Sequence, residues 1–209
     1  MIGGGWFGSY HARQLVKAGL GRVLVVDRDP DCAAFGALAG IEPVVSDWGA
    51  FLGWWVDAAG AGDHLIPAPL APHLLWDWLA RSAQLAPCPP PRAWGLPYEV
   101  EGADGSLFIS AAAWTCPAAC VEPAHCPILH APRDWDLAEI ISARAAAEGW
   151  EAAVFHLLHL SRGVASVPVS ALREARARAS GMRPGARLLV ATSSRCHAAV
   201  GGLRARGSG

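Results

Sequence analysis

The feature that most constrains the fold is a glycine-rich turn at the start of the chain, Gly3-Gly4-Gly5-Trp6-Phe7-Gly8. It fits the spacing G-x-G-x-x-G and leads into a helical pattern over Gly8–Ala18 that Gly19 ends. In this spacing the first glycine makes a tight turn, the second lets the backbone approach a phosphate, and the third lets the helix pack closely on a strand. The helix then points its free N–H groups at the phosphate. The turn therefore predicts a pyrophosphate site.

Strands and helices alternate through the first 85 residues. The apolar run Val23–Val26, closed by Asp27, predicts a strand buried on both faces, as in parallel sheets. Two further strands are predicted at Val44–Val45 and His64–Ile66. Helices are predicted at Asp31–Ala39, at 48–56 and at Pro69–Leu85. This order predicts an α/β fold with a doubly wound parallel sheet.

An acidic residue lies where a dinucleotide site needs one. Asp27 follows Gly8 by nineteen residues and ends the second predicted strand. A carboxylate at this place accepts hydrogen bonds from the ribose hydroxyls of adenosine. Arg28 beside it favours a 2′-phosphate whereas Asp27 disfavours one, so NAD is favoured over NADP. The predicted cofactor-binding residues are Gly3, Gly5, Trp6, Phe7, Gly8, Asp27 and Arg28.

The segments GGGWFG, HARQL and VLVVDRD resemble the Rossmann-type NAD(P)-binding superfamily. The resemblance covers residues 1–85 and is similar to the compact dinucleotide-binding domains of potassium-uptake regulators and of siroheme-type dehydrogenases. It implies a Rossmann-like fold and NAD(P) as ligand. The run VVDRDP also looks like the end of the second strand in S-adenosylmethionine-dependent methyltransferases. A methyltransferase site and a degenerate, empty site are therefore alternatives.

The rest of the chain divides into two predicted regions. Residues 86–135 hold a proline-rich linker, a hairpin of Tyr98–Val100 and Leu107–Ile109, and a cysteine-rich loop, read as an insertion. Residues 136–209 are predicted to add α/β units to the same sheet. These units are a helix from Asp134 or Asp136 to Ala147, a strand over 152–160, a helix over Pro168–Ser180, a strand over 186–194 and a loose tail, RCHAAVGGLRARGSG.

Three cysteines, Cys116, Cys120 and Cys126, fall within eleven residues, and Cys196 follows the last predicted strand. The spacing C-x3-C-x5-C is neither that of a zinc ribbon nor that of a ferredoxin. A loop wraps one metal centre more easily than it buries three separate thiols. The prediction is an iron–sulfur cluster whose fourth ligand is Cys196, a histidine or an exogenous group. Zinc with help from His125, His130, Cys196 or His197, thiol or disulfide chemistry, and no metal at all are the alternatives.

Composition limits the kinds of partner that the protein is expected to bind. The formal net charge is −1, which gives no attraction to nucleic acid or to an anionic membrane. No run of about 18 apolar residues predicts a membrane span, and the opening residues do not resemble a signal peptide. These features predict a cytoplasmic protein with reduced thiols. The apolar fraction of 53% and the ten tryptophans would suit a homo-oligomer.

Together these features predict an NAD(P)-binding redox protein with a cysteine-ligated metal centre, an iron–sulfur cluster, acting on a small-molecule substrate. If it is an enzyme, it is an NAD(P)-linked oxidoreductase. No general acid or base stands out, so no catalytic residue is predicted. The alternatives are a nucleotide-sensing regulatory domain with structural zinc and an S-adenosylmethionine-dependent methyltransferase. Ser193, Ser194 and Arg195, at the end of the last predicted strand, are a candidate anion site.

Overall fold

The structure is a computed structural model that describes residues 1–67, 73–117, 120–161 and 163–207. The helices are α1 (Trp6–Lys17), α2 (Ala33–Ala37), α3 (Trp48–Ala58), α4 (Leu74–Ser82), α5 (Leu137–Ala147) and α6 (Val169–Ser180). The strands are β1 (Leu24–Asp27), β2 (Glu42–Val45), β3 (His64–Leu65), β4 (Ala86–Cys88), β5 (Tyr98–Glu101), β6 (Leu107–Ser110), β7 (His125–Cys126), β8 (Ala131–Pro132), β9 (Glu151–His156), β10 (Leu158–Ser161), β11 (Val164–Pro168), β12 (Arg187–Ser193) and β13 (His197–Arg204). Within these ranges no helix has both the length and the apolarity that a membrane crossing requires.

A six-stranded sheet forms the centre of the second half of the chain. Its order is β5-β6-β13-β12-β9, and β4 pairs with β13 beside β6. β12 and β9 run parallel, whereas the other pairs in this sheet are antiparallel. β12 and β13 form a hairpin, which places the last strand of the chain in the middle of the sheet.

Helices cover both faces of this sheet. Leu188 and Val190 of β12 face the core that α3, α4 and α6 fill. Leu189 and Ala191 point the other way, into the core under α5. This alternation follows from the period of two in a strand. The outcome is a three-layer arrangement whose middle layer is buried on both sides.

The glycine-rich turn lies in a smaller parallel arrangement. β1 pairs with β2 in parallel. On the other side of β1, Ile2 forms a parallel bridge with Val26, and the Ile2 N–H donates to the Ile66 carbonyl at 2.9 Å. β3, just before Ile66, pairs antiparallel with β11. Ahead of the glycines, Ile2 contributes only this single bridge to the parallel arrangement.

The mixed α/β class is confirmed. Several elements match the sequence predictions closely, including the hairpin of β5 and β6 and the helix that Asp136 caps through the Ala138 N–H at 2.9 Å. The large sheet is not the doubly wound parallel sheet that the sequence predicts. In the described ranges, the pair β1 and β2 is the only sheet that is purely parallel. The hairpin is part of the large sheet and not a separate insertion.

Two other predictions are wrong. The segment predicted as a loose tail contains β13, whose residues Ala198–Leu203 are buried. The strand predicted over 152–160 is interrupted at Leu157 and continues as β10, which leaves the large sheet and pairs with β11. The predicted start of the fourth helix, at Pro69, lies outside the described residues.

Candidate functional site

Four cysteines from two distant segments lie near one end of the large sheet. Cys116, Cys120 and Cys126 lie between β6 and α5, in a segment called the cysteine loop that includes the short pair β7 and β8, and Cys196 lies in the turn between β12 and β13. Glu122 fastens the loop to this turn. One of its carboxylate oxygens accepts the Ser194 hydroxyl at 2.6 Å, and the other accepts the Arg195 N–H at 2.7 Å. The predicted anion site at the strand end therefore holds an anion of the chain itself.

The thiols influence one another electrostatically. Burial is the main cause that raises the pKa of the Cys116 thiol, and the nearby thiols of Cys196 and Cys120 raise it further, with a smaller effect from Cys126. Burial also raises the pKa of Cys196. For both groups the main cause is burial, which disfavours the charged thiolate.

Backbone N–H groups point at two of the sulfur atoms. The Leu129 N–H is the main cause that lowers the pKa of Cys126, and the Ile128 N–H adds to it. The Glu122 N–H donates to Cys120 Sγ at 3.4 Å. Such donors stabilise a thiolate, and they also tune the potential of a thiolate-bound cluster.

Buried side-chain donors complete the surroundings of the thiols. Trp114 adjoins Cys116, Trp135 adjoins Cys196, and Arg133 adjoins both Cys126 and Cys196. Their Trp Nε1 and Arg Nε atoms are buried, yet none of the three has a regular hydrogen-bond partner among the described residues. Buried donors are nearly always satisfied. The N–H groups of Trp114, Trp135 and Arg133 face thiol sulfurs, which are weak acceptors, so the thiols lie among several donors.

The histidines predicted as alternative ligands do not join the thiols. His125 and His130 are exposed, and His197 Nδ1 lies 3.0 Å from the Ser110 hydroxyl. Over the described ranges, no three His, Cys, Asp or Glu side chains form a ready site for a single ion. All six cysteines are free thiols.

Replacing Glu122 with Gln will loosen the cysteine loop. The amide keeps the bond from Ser194 but presents N–H₂ to the Arg195 N–H, so we expect a loss of about 1–2 kcal/mol of unfolding free energy. Hydrogen exchange of the Arg195 amide will accelerate in the same variant. Glu174→Gln, on the exposed face of α6, should stay within about 0.5 kcal/mol of the parent. Equal exchange rates at Arg195 in both variants would show that Glu122 does not hold the loop.

The glycine-rich turn has the local geometry that its spacing predicts. Gly3 has φ +85°, in the region that favours glycine. A Cβ on Gly8 would lie 1.9 Å from the Gly3 carbonyl oxygen, so the helix start packs directly on the turn. A Cβ on Gly5 would meet nothing within 4 Å among the described residues. The open side of Gly5 is the side from which a phosphate can approach.

Asp27 is next to this turn. Its Oδ2 accepts the Gly4 N–H at 2.6 Å, and its Oδ1 accepts the Asp29 N–H at 3.0 Å. Gly5 caps α1 without a side-chain hydrogen bond in the described structure, and the first turn carries no acidic residue. Trp6, Phe7 and Arg28 are exposed around it. The predicted cofactor-binding residues are therefore neighbours, and the positive end of the helix is open to an anion.

A cavity of about 520 Å³ lies between α1 and the large sheet. His11 of α1 lines it on one side. Trp114, Ser194 and His197, which belong to the segments carrying Cys116 and Cys196, line it on the other. The lining contains neither a residue of the glycine-rich turn nor a cysteine among the described residues.

Acid will destabilise the protein partly through His11. Burial lowers the pKa of His11 below its ordinary value of 6.5, so the folded chain takes up this proton less readily than the unfolded chain. The stabilising effect is complete above pH 6.5 and is lost as the pH falls through the folded pKa. Denaturant unfolding at stepped pH should give a flatter acid slope for His11→Gln than for His125→Gln, a change at an exposed histidine. Identical slopes would exclude this role for His11.

Sequence reasoning identified the thiols but not the residues around them. Glu122, Arg133, Trp114 and Trp135 have no metal-ligand or catalytic motif. One weak indication of the surrounding residues is visible in the sequence: a tryptophan flanks the cysteine segment on each side. The bond between Glu122 and Ser194 spans 72 residues of sequence and has no local signature.

Comparison with known proteins gives a family for most of the chain. Residues 71–206 match the model of AF_1314_C, described as "Uncharacterized protein, C-terminal domain". The matched range contains the large sheet and all four clustered cysteines, whereas the glycine-rich turn precedes it. No curated protein matches the chain, and no solved structure matches it.

Proposed function

The chain belongs to the AF_1314_C family, and we propose that it is a nucleotide-binding redox protein whose clustered thiols hold an iron–sulfur cluster. The observation that carries this proposal is the docking of the loop with Cys116, Cys120 and Cys126 onto the turn with Cys196. The Glu122 carboxylate makes this contact through Ser194 and the Arg195 N–H. Four thiols are the ligand set of the common clusters.

The donor groups support an anionic cluster in particular. Backbone N–H groups already point at Cys120 and Cys126. Trp114, Trp135 and Arg133 place further N–H donors beside the thiols, and the sulfurs of a cluster would be stronger acceptors for them than neutral thiols are. Hydrogen bonds to the sulfurs are one of the means by which proteins set the potential of a cluster. When bound, such a cluster supplies one-electron transfer.

The preference for iron–sulfur over zinc concerns how closely the ligands must converge. A structural zinc ion draws four ligands onto one atom, and the described side chains offer no ready group of that kind. In a four-iron cluster each cysteine binds a different iron atom, so the four sulfurs stay farther apart.

The nucleotide part of the proposal is based on the glycine-rich turn. The order β2, β1, Ile2 and Ile66 along the hydrogen-bonded edge is the order of the first half of a Rossmann-like sheet. The open side of Gly5 and the uncapped start of α1 suit a pyrophosphate. Asp27 lies directly beside the turn, because its Oδ2 accepts the Gly4 N–H, and we expect the remaining lone pairs of its carboxylate to accept from a ribose. These features favour NAD.

Anaerobic purification followed by elemental analysis tests both parts. We expect about four iron atoms per chain with matching sulfide and the visible absorbance of thiolate-bound iron. We also expect NAD, but not S-adenosylmethionine, to raise the melting temperature. A colourless protein containing zinc would instead indicate the sensing domain with structural zinc. Stabilisation by S-adenosylmethionine alone would indicate a methyltransferase.

A further inference from the structure

The cavity between α1 and the large sheet has a largely apolar and aromatic lining. Tyr98, Phe108 and Trp114 contribute rings, and Ile66 and Ala165 contribute aliphatic surface. Within the described lining there is no Asp, Glu, Lys or Arg. A charged ligand would lose hydration here without gaining an ionic partner. The lining therefore suits an uncharged organic molecule, which aromatic side chains contact well through its ring faces.

A few polar atoms interrupt this apolar surface. His11 lines the cavity, and its Nδ1 is buried without a partner in the described structure. His197 lines the opposite side, with its Nδ1 3.0 Å from the Ser110 hydroxyl. Burial lowers the pKa of His11, so His11 is neutral near physiological pH. A neutral imidazole donates a hydrogen bond to a carbonyl oxygen without burying a charge.

We propose that this cavity binds an uncharged planar ring compound with ring carbonyl oxygens, the chemistry shared by quinones and by the isoalloxazine ring of flavins. The rings of Tyr98, Phe108 and Trp114 contact its faces, and His11 donates to a carbonyl oxygen. This inference goes beyond the proposed function and depends neither on the thiols nor on the glycine-rich turn.

Titration calorimetry on the metal-free protein tests the inference, so a failure of the cluster proposal does not affect the result. The probes are dimethylnaphthoquinone, whose substituted ring does not add thiols, and lumiflavin, which has no phosphate. Naphthalene tests shape alone, and naphthoate tests charge. We expect one or both carbonyl compounds to bind, and the tighter one identifies the source of the ring. Naphthoate should bind at least about tenfold more weakly, a difference of 1.4 kcal/mol.

Two variants inside the cavity and one control variant outside it distinguish binding in the cavity from binding to other surfaces. Ala165→Leu fills the cavity and should weaken the carbonyl probes at least about tenfold, whereas Ala147→Leu, on the exposed end of α5, should leave binding unchanged. His11→Leu should weaken the carbonyl probes about fivefold, the value of one hydrogen bond, without weakening naphthalene. The inference is wrong if no carbonyl probe binds, if naphthoate binds equally well, or if both cavity variants bind as the parent does.

Discussion

Replacing Cys126 with serine will remove the iron from the anaerobically isolated protein. Cys126 is 2% exposed and receives the N–H groups of Leu129 and Ile128. These donors stabilise its thiolate, which is the form that binds iron. Loss of an outer-shell partner already costs metal sites about 10–100-fold in affinity. Loss of this ligand should cost at least as much, and we expect the iron-to-protein ratio to fall at least about tenfold.

Cys88 provides the matched control. It is a free, half-buried thiol in β4, away from the cysteine loop. Cys88→Ser should keep the iron content and the visible absorbance of the parent. Thermal unfolding of the metal-free variants shows whether Cys126→Ser still folds. A folded Cys126→Ser protein with unchanged iron would remove the loop from the ligand set.

Replacing Gly8 with alanine will destabilise the fold, whereas the same change at Gly5 will leave it intact. At Gly8 the new Cβ would lie 1.9 Å from the Gly3 carbonyl oxygen. Neither atom is at the end of a flexible side chain, so α1 or the turn must move. We expect a loss of about 2–4 kcal/mol of unfolding free energy, measured by denaturant titration.

Gly5→Ala separates folding from nucleotide binding. Gly5 has φ −67°, which alanine adopts readily, and its Cβ would meet nothing within 4 Å among the described residues. Stability should therefore stay within about 0.5 kcal/mol of the parent. If a pyrophosphate approaches this face, the methyl group blocks it, and the Kd for NAD should rise at least about tenfold. An unchanged Kd would exclude the glycine-rich turn as the phosphate site.

Local signals predicted much of the fold. The glycine-rich turn marks α1, the apolar run ending at Asp27 marks β1, and Asp136 caps α5 as expected. Each of these features depends on residues a few positions apart. The pairing of β5 with β6 is also local, because one short turn connects them. In each case the contacts that determine the structure lie within the same short segment of sequence.

The sheet depends on contacts that no local pattern contains. The residues of β13 look like a loose tail because Gly201 and Gly202 interrupt them. In the structure a Cβ on Gly201 would lie 2.7 Å from the Trp76 ring, and one on Gly202 would lie 2.4 Å from the Cys88 carbonyl oxygen. The glycines are there because other groups pack against the strand. This packing places β13 at the centre, and its reversal after β12 makes most of the large sheet antiparallel.

The candidate site also combines features that the local sequence predicts with features that depend on distant contacts. The thiols of one loop were visible in the sequence, as was Cys196 at a strand end. What joins them is the Glu122 carboxylate, whose two partners lie 72 and 73 residues away. Arg133 and the two tryptophans bring buried N–H donors next to the thiols, and the spacing of residues in the sequence does not reveal which side chains are buried together. The sequence thus indicated which side chains carry chemistry but not how the fold holds them together.

Iron K-edge X-ray absorption on the anaerobically isolated protein tests the central claim most directly. The four thiols predict a first shell of sulfur only and a second shell of iron, because each cysteine binds one iron atom of a cluster that is otherwise built of iron and sulfide. Nitrogen or oxygen in the first shell, or the absence of iron neighbours in the second, would contradict an iron–sulfur cluster held by Cys116, Cys120, Cys126 and Cys196.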